Sequence, residues 1–260
     1  MNSIHAVLLG IVEGITEFLP ISSTFHLLWT SNLLGIEQTD FVKLFLVVIQ
    51  GGAILSVVFL YWRDLLFNRD MMMKIIASFI PTAIIGFALY KVIKGVFFES
   101  MMFTTSVFIA IGVVFLIVEY LVDKKKIILE KPMKKLGWKD AILVGLFQSL
   151  AVVPGVSRSG SVIIGMMFLK YKREDSAKYS FLVSVPTILA ASVLDLYQMK
   201  EVLMSNADAV MFLVVGTVVS FISAFIGVKW LIGYLQRNSL RLFGWYRIIL
   251  GIILLLLAGR

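Results

Sequence analysis

Four charged or titratable side chains stand inside otherwise apolar stretches of the chain: Glu13, Glu17, His26 and Arg158. Glu13 and Glu17 are four residues apart, so a helix would place them on one face. Two carboxylates in a medium of low dielectric repel each other, and they must therefore share a proton or bind a cation. Two glutamates solvated at a wet helix end are the alternative, but the apolar residues around them favour a functional pair.

Hydroxyl groups and an imidazole follow the glutamates. Ser22, Ser23 and Thr24 precede an apolar stretch, where helix N-caps occur, and a helix N-terminus offers free N–H groups to an anion. His26 lies three residues after Ser23, and its imidazole is suited to act as a general acid, a general base or a nucleophile. For the serines the alternative is simple helix capping, and for His26 it is a buried neutral imidazole. The nearby serines and Glu17 favour a catalytic role for His26.

A second polar set surrounds Arg158, with Gly155, Ser157, Ser159 and Ser161 close to it in the sequence. Glycine frees the backbone, serines supply hydroxyl groups and helix caps, and the guanidinium is a planar fork of donors. Phosphate recognition uses this combination. The alternative is a capped helix whose arginine pairs with a structural carboxylate.

The chemistry that these residues predict requires that the residues around Arg158 lie close to Glu13, Glu17, Ser23 and His26 in the folded protein. We expect Glu13 and Glu17 to hold a divalent cation, Mg²⁺ or Ca²⁺, that bridges to a phosphate bound by Arg158. The reaction class is phosphoryl transfer, and hydrolysis without ATP is its simplest form because the sequence has no Walker motif. A covalent route would use Ser23 or His26 as nucleophile, and a direct route would use a water activated by Glu17 or His26. We favour Ser23, assisted by His26 and Glu17.

The composition places these residues in a membrane protein. Of the 260 residues, 60% are hydrophobic and only 15% are charged, whereas a soluble domain carries about 25% charged residues. Leu44–Trp62, Ser100–Val118 and Ala209–Val228 are free of charge, and each would cross about 30 Å of hydrocarbon as a helix. Soluble enzymes, nucleic-acid modules and disordered tails are excluded. The absence of cysteine excludes disulfides, thiol nucleophiles and cysteine-ligated metals.

We predict an all-α, polytopic integral membrane protein that forms a single membrane domain over 1–260. Six transmembrane helices are expected at about 41–62, 71–93, 101–123, 176–199, 208–234 and 240–259. Ser3–Gly35 and Asp140–Leu169 are too long for one span and too short for two, and each has a proline near its middle. We expect each to form a re-entrant helical hairpin whose break lies at an internal site, because lipid does not tolerate exposed backbone.

The order of a hairpin, three spans, a hairpin and three spans predicts an inverted-topology repeat. Its halves are 1–123 and 137–260, joined by a basic cytoplasmic loop at 124–136. This topology puts 18 of the 24 lysines and arginines on one face, Arg247 among them, and five on the other, with Arg158 between them. The positive-inside rule makes the basic face cytoplasmic, so both termini lie outside. The net charge of +8 then reflects topology and anionic lipid, not nucleic acid.

The chain resembles the undecaprenyl-diphosphatase family, also called bacitracin-resistance proteins, over essentially its whole length. The resemblance is carried by Glu13–Pro20, by Ser22–Thr24 with His26, and by Pro154–Gly160. It implies a membrane phosphatase that hydrolyses undecaprenyl diphosphate to the monophosphate and inorganic phosphate, recycles the lipid carrier for cell-wall peptidoglycan synthesis and confers bacitracin resistance. It also implies a bacterial plasma membrane location, a divalent cation, and a site that opens to the extracellular or periplasmic face.

The resemblance also assigns roles to residues. Glu13 and Glu17 correspond to an acidic pair, Ser23 and His26 to nucleophile or acid–base candidates, and Arg158 to a phosphate clamp. The residues that it places at the substrate are Ser22, Thr24, Gly155, Ser157, Ser159 and Ser161. Two positions depart from the family pattern, Val162 for a frequent threonine and Phe25 for a frequent glycine.

A polyprenyl-phosphate transporter or flippase is the alternative function, since inverted repeats with broken helices are typical of transporters. It would use the same anion site, and lipid transport should then continue in variants that no longer release phosphate. A structural scaffold does not explain charges buried at the breaks. The expected partners are a prenyl diphosphate lipid and membrane lipids, with no nucleic acid, and a homodimer is one option for the oligomeric state.

Overall fold

A computed structural model describes residues 1–92, 101–198, 201 and 208–258 of the chain. These residues are helical and contain no β-strand, apart from one isolated bridge between Lys131 and Tyr171. The all-α prediction is therefore confirmed. The helices are α1 Ser3–Thr16, α2 Ser23–Leu33, α3 Asp40–Leu66, α4 Arg69–Val92, α5 Met101–Asp123, α6 Trp138–Ser149, α7 Arg158–Phe168, α8 Arg173–Gln198, α9 Ala209–Leu235 and α10 Arg241–Ala258, with short 3₁₀ turns at Met133–Lys135 and Leu150–Val152.

Five helices of the described part of the chain are long and apolar enough to cross a membrane, namely α3, α4, α5, α8 and α9. They coincide with the first five expected spans. The sixth expected span corresponds to α10, which is not among the five, and a crossing there stays a prediction. The expected span ends at 93, 199 and 259 lie outside the described residues, as do Lys94, Lys200 and Arg260.

The two segments that were expected to form hairpins each contain two helices separated by a break. Helices α1 and α2 flank Pro20, and helices α6 and α7 flank Pro154. The residue before the second helix of each pair is a serine with a positive φ, 67° at Ser22 and 73° at Ser157. This conformation is uncommon for any residue except glycine and tends to occur at functional sites. The two broken segments therefore share a local backbone conformation, a serine with a positive φ directly before the second helix, at positions 135 residues apart.

Glycine allows each broken segment to pack closely against a long helix from the other half of the sequence. Helix α1 packs on α9, where a Cβ atom on Gly10 would overlap the carbonyl oxygen of Gly216. Helix α6 packs on α4, where a Cβ atom on Gly145 would overlap the carbonyl oxygen of Ser78. Small residues at helix contacts are the usual means of close packing in membranes. These contacts cross between the halves and bring the two breaks together.

A buried ion pair joins the ends of three helices. Glu119 on α5 is fully buried and accepts hydrogen bonds from Arg173 Nε at 2.8 Å and Nη2 at 2.5 Å. The same carboxylate accepts from the backbone N–H of Leu240 at 2.8 Å. One carboxylate thus ties α5 to the starts of α8 and α10.

Candidate active site

The two breaks touch each other through both side chains and backbone. Arg158, the first residue of α7, donates from Nη2 to Glu17 Oε1 at 3.0 Å, and the two side chains are 12% and 7% exposed. Ser159 Oγ donates to the carbonyl oxygen of Leu19 at 3.0 Å. The structure therefore joins the two polar sets that the sequence singled out.

A serine hydroxyl is directed at the same carboxylate. Ser23 begins α2, and its Oγ donates a short hydrogen bond to Glu17 Oε2. Both oxygens of Glu17 are therefore engaged, one by the guanidinium of Arg158 and the other by a hydroxyl. A carboxylate in this position is suited to accept a proton from the Ser23 hydroxyl.

One nitrogen of the Arg158 guanidinium has no hydrogen-bond partner in the described part of the structure. Its Nη1 group donates to the carbonyl oxygen of Ser180 at 3.1 Å, and Nη2 is used on Glu17. Its Nε–H is buried and has no hydrogen-bond partner in the described part of the structure. Because a buried donor without a partner is costly, this group is ready to bind an anion.

A cavity of about 280 Å³ lies where the breaks meet. Seven of the residues singled out by the sequence line it: Glu17, Ser22, Ser23, Thr24, Gly155, Ser157 and Arg158. The residues singled out by the sequence that do not line it are Glu13, His26, Ser159 and Ser161. Four neutral polar residues without a role predicted from the sequence also line it, namely Gln50, Thr82, Gln148 and Thr187, and six apolar residues make up the rest of the lining.

Glu13 lies one helical turn before Glu17 and is completely buried. Neither of its carboxylate oxygens has a hydrogen-bond partner among the described residues. Buried acceptors of this kind need a proton or a cation. No cluster of three or more histidine, aspartate or glutamate side chains suited to a metal occurs in the described ranges. Of the two glutamates that the sequence predicts as cation ligands, Glu13 has free carboxylate oxygens, whereas both oxygens of Glu17 accept hydrogen bonds from Arg158 and Ser23. Mg²⁺ held by one or two protein carboxylates is commonly completed by phosphate oxygens and water.

The serines around Arg158 form a chain of hydrogen bonds that shapes the start of α7. Because Ser159 donates to the carbonyl of Leu19, the hydrogen bond of 3.1 Å between Ser157 Oγ and Ser159 Oγ must be donated by Ser157. Ser157 Oγ in turn accepts from the N–H of Gly160 at 3.2 Å, and Ser161 Oγ donates to the Ser157 carbonyl at 3.1 Å. These hydroxyls act here as helix caps and as links between the breaks.

His26 is oriented by two hydrogen bonds away from the cavity lining. Its Nδ1 lies 2.8 Å from the carbonyl oxygen of Ser22, which only accepts, so Nδ1 carries a proton. In the neutral ring Nε2 then accepts from the hydroxyl of Tyr246 at 2.7 Å. The rings of His26 and Tyr246 are stacked, with centroids 5.7 Å apart. The imidazole thus holds the strained turn before Ser23.

Arg247 is a functional candidate whose position was predicted wrongly from the sequence. It was assigned to the basic face, but it is completely buried. Its guanidinium donates to the carbonyl oxygens of Pro20 at 3.1 Å and of Phe108 at 3.0 Å, and it makes a short hydrogen bond to that of Gly155. Arg247 therefore bridges both breaks from α10. Its position inside the expected span 240–259 is the signal that could have revealed it.

The aromatic residues beneath Arg247 explain one departure from the family pattern. The guanidinium lies 4.4 Å above the ring of Phe108, and Phe25 stacks on the same ring with centroids 4.0 Å apart. Both phenylalanines are buried. The large side chain of Phe25 thus fills the space between α2 and α5.

Fold and site together define a multi-pass helical membrane protein with an internal charged site assembled from two broken helical segments. The chain belongs to the family described as Bacitracin resistance protein BacA, which matches residues 6–253. The resemblance inferred from the motifs is confirmed.

Curated relatives match along nearly their entire length. The undecaprenyl-diphosphatase of Aquifex aeolicus is 45% identical over 253 residues, which is 97% of this chain and 97% of the relative. The undecaprenyl-diphosphatase of a Sulfurihydrogenibium species is 46% identical over 253 residues, 97% of this chain and 98% of the relative. The undecaprenyl-diphosphatase of Persephonella marina is 45% identical over 256 residues, 98% of this chain and 99% of the relative.

Proposed function

We propose that this protein is a membrane hydrolase that converts undecaprenyl diphosphate into undecaprenyl phosphate and inorganic phosphate. The activity is the one that the names of its relatives state. The observation that carries the proposal is a single cavity lined by Glu17, Ser23 and Arg158 from both breaks. The reaction would recycle the lipid carrier for cell-wall synthesis and confer resistance to bacitracin.

Arg158 binds the diphosphate in this proposal. Its unpartnered Nε–H offers a charge-assisted hydrogen bond to a phosphate oxygen, and its positive charge offsets the charge of the bound anion. The hydrogen bonds to Glu17 and Ser180 hold the guanidinium in place without using that donor. Pre-positioned donors of this kind provide much of the catalysis in phosphoryl transfer.

Ser23 is the nucleophile in this proposal. Its Oγ attacks the terminal phosphorus, the bond from that phosphorus to the bridging oxygen breaks, and the prenyl monophosphate leaves with the electron pair. Glu17 accepts the hydroxyl proton through the hydrogen bond that already joins the two side chains. Water then attacks the phosphoserine, Oγ recovers its proton from Glu17, and both hydrogens of the water leave with inorganic phosphate.

Glu13 and Glu17 are the residues that we propose as ligands of a divalent cation, Mg²⁺ or Ca²⁺. The support is the pair of Glu13 oxygens that are buried without a hydrogen-bond partner. Mg²⁺ is commonly held by one or two protein carboxylates together with substrate phosphates. When bound, the cation would neutralise charge on the diphosphate.

For the membrane arrangement we propose six spans and two re-entrant hairpins in an inverted repeat of 1–123 and 137–260. The shared local backbone conformation of the two broken segments and the asymmetric distribution of lysine and arginine support it. With the basic loop 124–136 in the cytoplasm, the site would open to the extracellular or periplasmic face of the plasma membrane. A homodimer is the oligomer to test.

The test is phosphate release from undecaprenyl diphosphate by the purified full-length protein in detergent, with Mg²⁺ or Ca²⁺ added. We expect turnover by the wild type and a loss of at least about 10²-fold in Arg158→Ala. Arg241→Ala, which removes an arginine paired with Asp123 at the start of α10, is the matched control and should retain turnover. A wild-type protein that moves prenyl phosphate across vesicles without releasing phosphate would overturn the proposal in favour of a transporter.

A further inference from the structure

The cavity contains a second group of polar side chains that carries no charge. Gln148 is one of the lining residues, is 0% exposed, and comes from α6, just before the second break. Its side-chain nitrogen donates to the hydroxyl oxygen of Thr82 at 2.8 Å and to that of Thr187 at 3.2 Å. All of these residues line the cavity together with Arg158.

The direction of these hydrogen bonds fixes the orientation of the Gln148 amide. Thr82 Oγ1 donates to the carbonyl oxygen of Gly145 at 3.0 Å, and Thr187 Oγ1 donates to that of Val183 at 3.0 Å. Each hydroxyl has a single hydrogen, so toward Gln148 both threonines act only as acceptors. They must therefore face the amide nitrogen, whose two N–H groups are both used.

The amide oxygen of Gln148 is then left as a buried acceptor. Oε1 has no hydrogen-bond partner in the described part of the structure. A fully deprotonated oxyanion is an unfavourable neighbour for it, because neither atom carries a hydrogen. An oxyanion with an O–H group is favourable, since that hydrogen satisfies the buried acceptor. Inorganic phosphate keeps at least one P–OH group at neutral pH, whereas sulfate keeps none.

We propose that Gln148 Oε1 accepts a hydrogen bond from the P–OH group of inorganic phosphate, which makes this part of the cavity a subsite for the protonated phosphate product. The proposal rests on the proposed function, because phosphate is the product of that reaction. It assigns selectivity, and not only charge recognition, to the cavity: Arg158 attracts any oxyanion, while Gln148 favours an oxyanion that can donate. Thr82 and Thr187 are positioning residues that orient the amide.

The test compares phosphate and sulfate as inhibitors of the purified full-length protein at pH 7, with direct binding of each anion measured by calorimetry. The wild type should bind phosphate more tightly than sulfate by about tenfold, the size expected for one buried hydrogen bond. Gln148→Met should reduce this ratio to about one, chiefly by weakening phosphate.

Gln50→Met, which alters the other glutamine of the cavity lining, is the matched control and should leave the ratio unchanged. Equal binding of phosphate and sulfate by the wild type would overturn the subsite, as would a ratio that survives in Gln148→Met. A Gln148→Met variant that needs more Mg²⁺ for half-maximal activity but keeps the ratio would show that Oε1 faces a cation, which also overturns it. A wild type that releases no phosphate from undecaprenyl diphosphate identifies failure of the proposed function instead.

Discussion

Arg158 donates a hydrogen bond of 3.0 Å to Glu17 although the two residues are 141 positions apart in the chain. The pair joins the first residue of α7 to the end of α1, and both side chains are largely buried. Removing one partner of a buried ion pair leaves an uncompensated charge, which is strongly destabilising. The geometry of each break therefore depends on the other.

The Glu17–Arg158 pair predicts that a positive charge alone at position 158 is not enough for turnover. Arg158→Lys keeps the positive charge but replaces three separate donor nitrogens, two of which bind Glu17 and Ser180, with one ammonium nitrogen that cannot reach all of their positions. We expect its turnover to fall by about 10²-fold, with a smaller change in thermal stability than in Arg158→Ala. Phosphate release and thermal unfolding in detergent measure the two effects. Wild-type turnover in Arg158→Lys would show that the planar guanidinium is not required for catalysis.

Ser23 should be required for turnover but not for folding. Ser23→Ala removes the hydroxyl that donates to Glu17, and we expect phosphate release to fall by at least about 10²-fold with little change in unfolding temperature. Ser31→Ala is the matched control, because Ser31 is also buried on α2 and its hydroxyl has no partner in the described structure. Labelling with a ³²P-diphosphate substrate followed by acid quenching should trap phosphoserine only when Ser23 is present. Near-normal turnover in Ser23→Ala would show that the nucleophile is water or His26 and not Ser23.

His26 is expected to act by holding the backbone before Ser23. An asparagine places an N–H close to the position of Nδ1, so His26→Asn should keep the hydrogen bond to the Ser22 carbonyl, whereas His26→Leu loses it. We expect His26→Asn to recover roughly tenfold more turnover than His26→Leu. Tyr246→Phe, which removes only the hydroxyl on Nε2, should lower turnover by no more than about fivefold. Equal inactivity of the two His26 variants would instead support direct acid–base chemistry by the imidazole.

The features that could be predicted from the sequence are those that depend on local patterns. Apolar length located the five long helices, and a proline near the middle of each remaining segment located the breaks. Charge in an apolar context selected Glu17 and Arg158, and the structure joins them. These patterns are readable because lipid penalises every buried charge and every unsatisfied backbone group without regard to the rest of the fold.

The features that could not be predicted depend on contacts between distant helices. Arg247 lies near enough to the start of α10 to resemble an interfacial arginine, and only the packing of α5 and both breaks around it shows that it is buried. Gln148 resembles an ordinary packing residue until the partners of Thr82 and Thr187 fix its amide. His26 has the spacing of a catalytic base, but its hydrogen bonds to the Ser22 carbonyl and to the hydroxyl of Tyr246, 220 positions away, are visible only in the structure. Hydrogen bonds between residues of distant helices leave no periodic pattern in the sequence.

Arg247 should be needed both for stability and for the geometry of the site. Arg247→Met keeps much of the volume but leaves the carbonyl oxygens of Pro20 and Gly155 without their donor. We expect a loss of about 3 kcal/mol or more in the free energy of unfolding and a lower kcat with a smaller change in KM. Arg241→Met on the same helix is the control, because that arginine is half-exposed at an ion pair. Unfolding in detergent and steady-state kinetics give both readouts, and an unchanged kcat in a folded Arg247→Met protein would contradict the positioning role.

Close packing of α6 against α4 should be intolerant of a single methyl group. The Cβ atom of Gly145→Ala would overlap the carbonyl oxygen of Ser78, so the helices must separate, which costs about 1–3 kcal/mol. Gly51→Ala on α3 is the matched control, since a Cβ atom there meets nothing within 4 Å and alanine is favoured over glycine in a helix. The first variant should unfold at a lower temperature and lose turnover, because α6 carries Gln148 and leads into the second break. Equal unfolding temperatures for the two variants would show that α6 can move away from α4 without a loss of stability. The contact between the breaks would then depend mainly on Arg158 and Arg247.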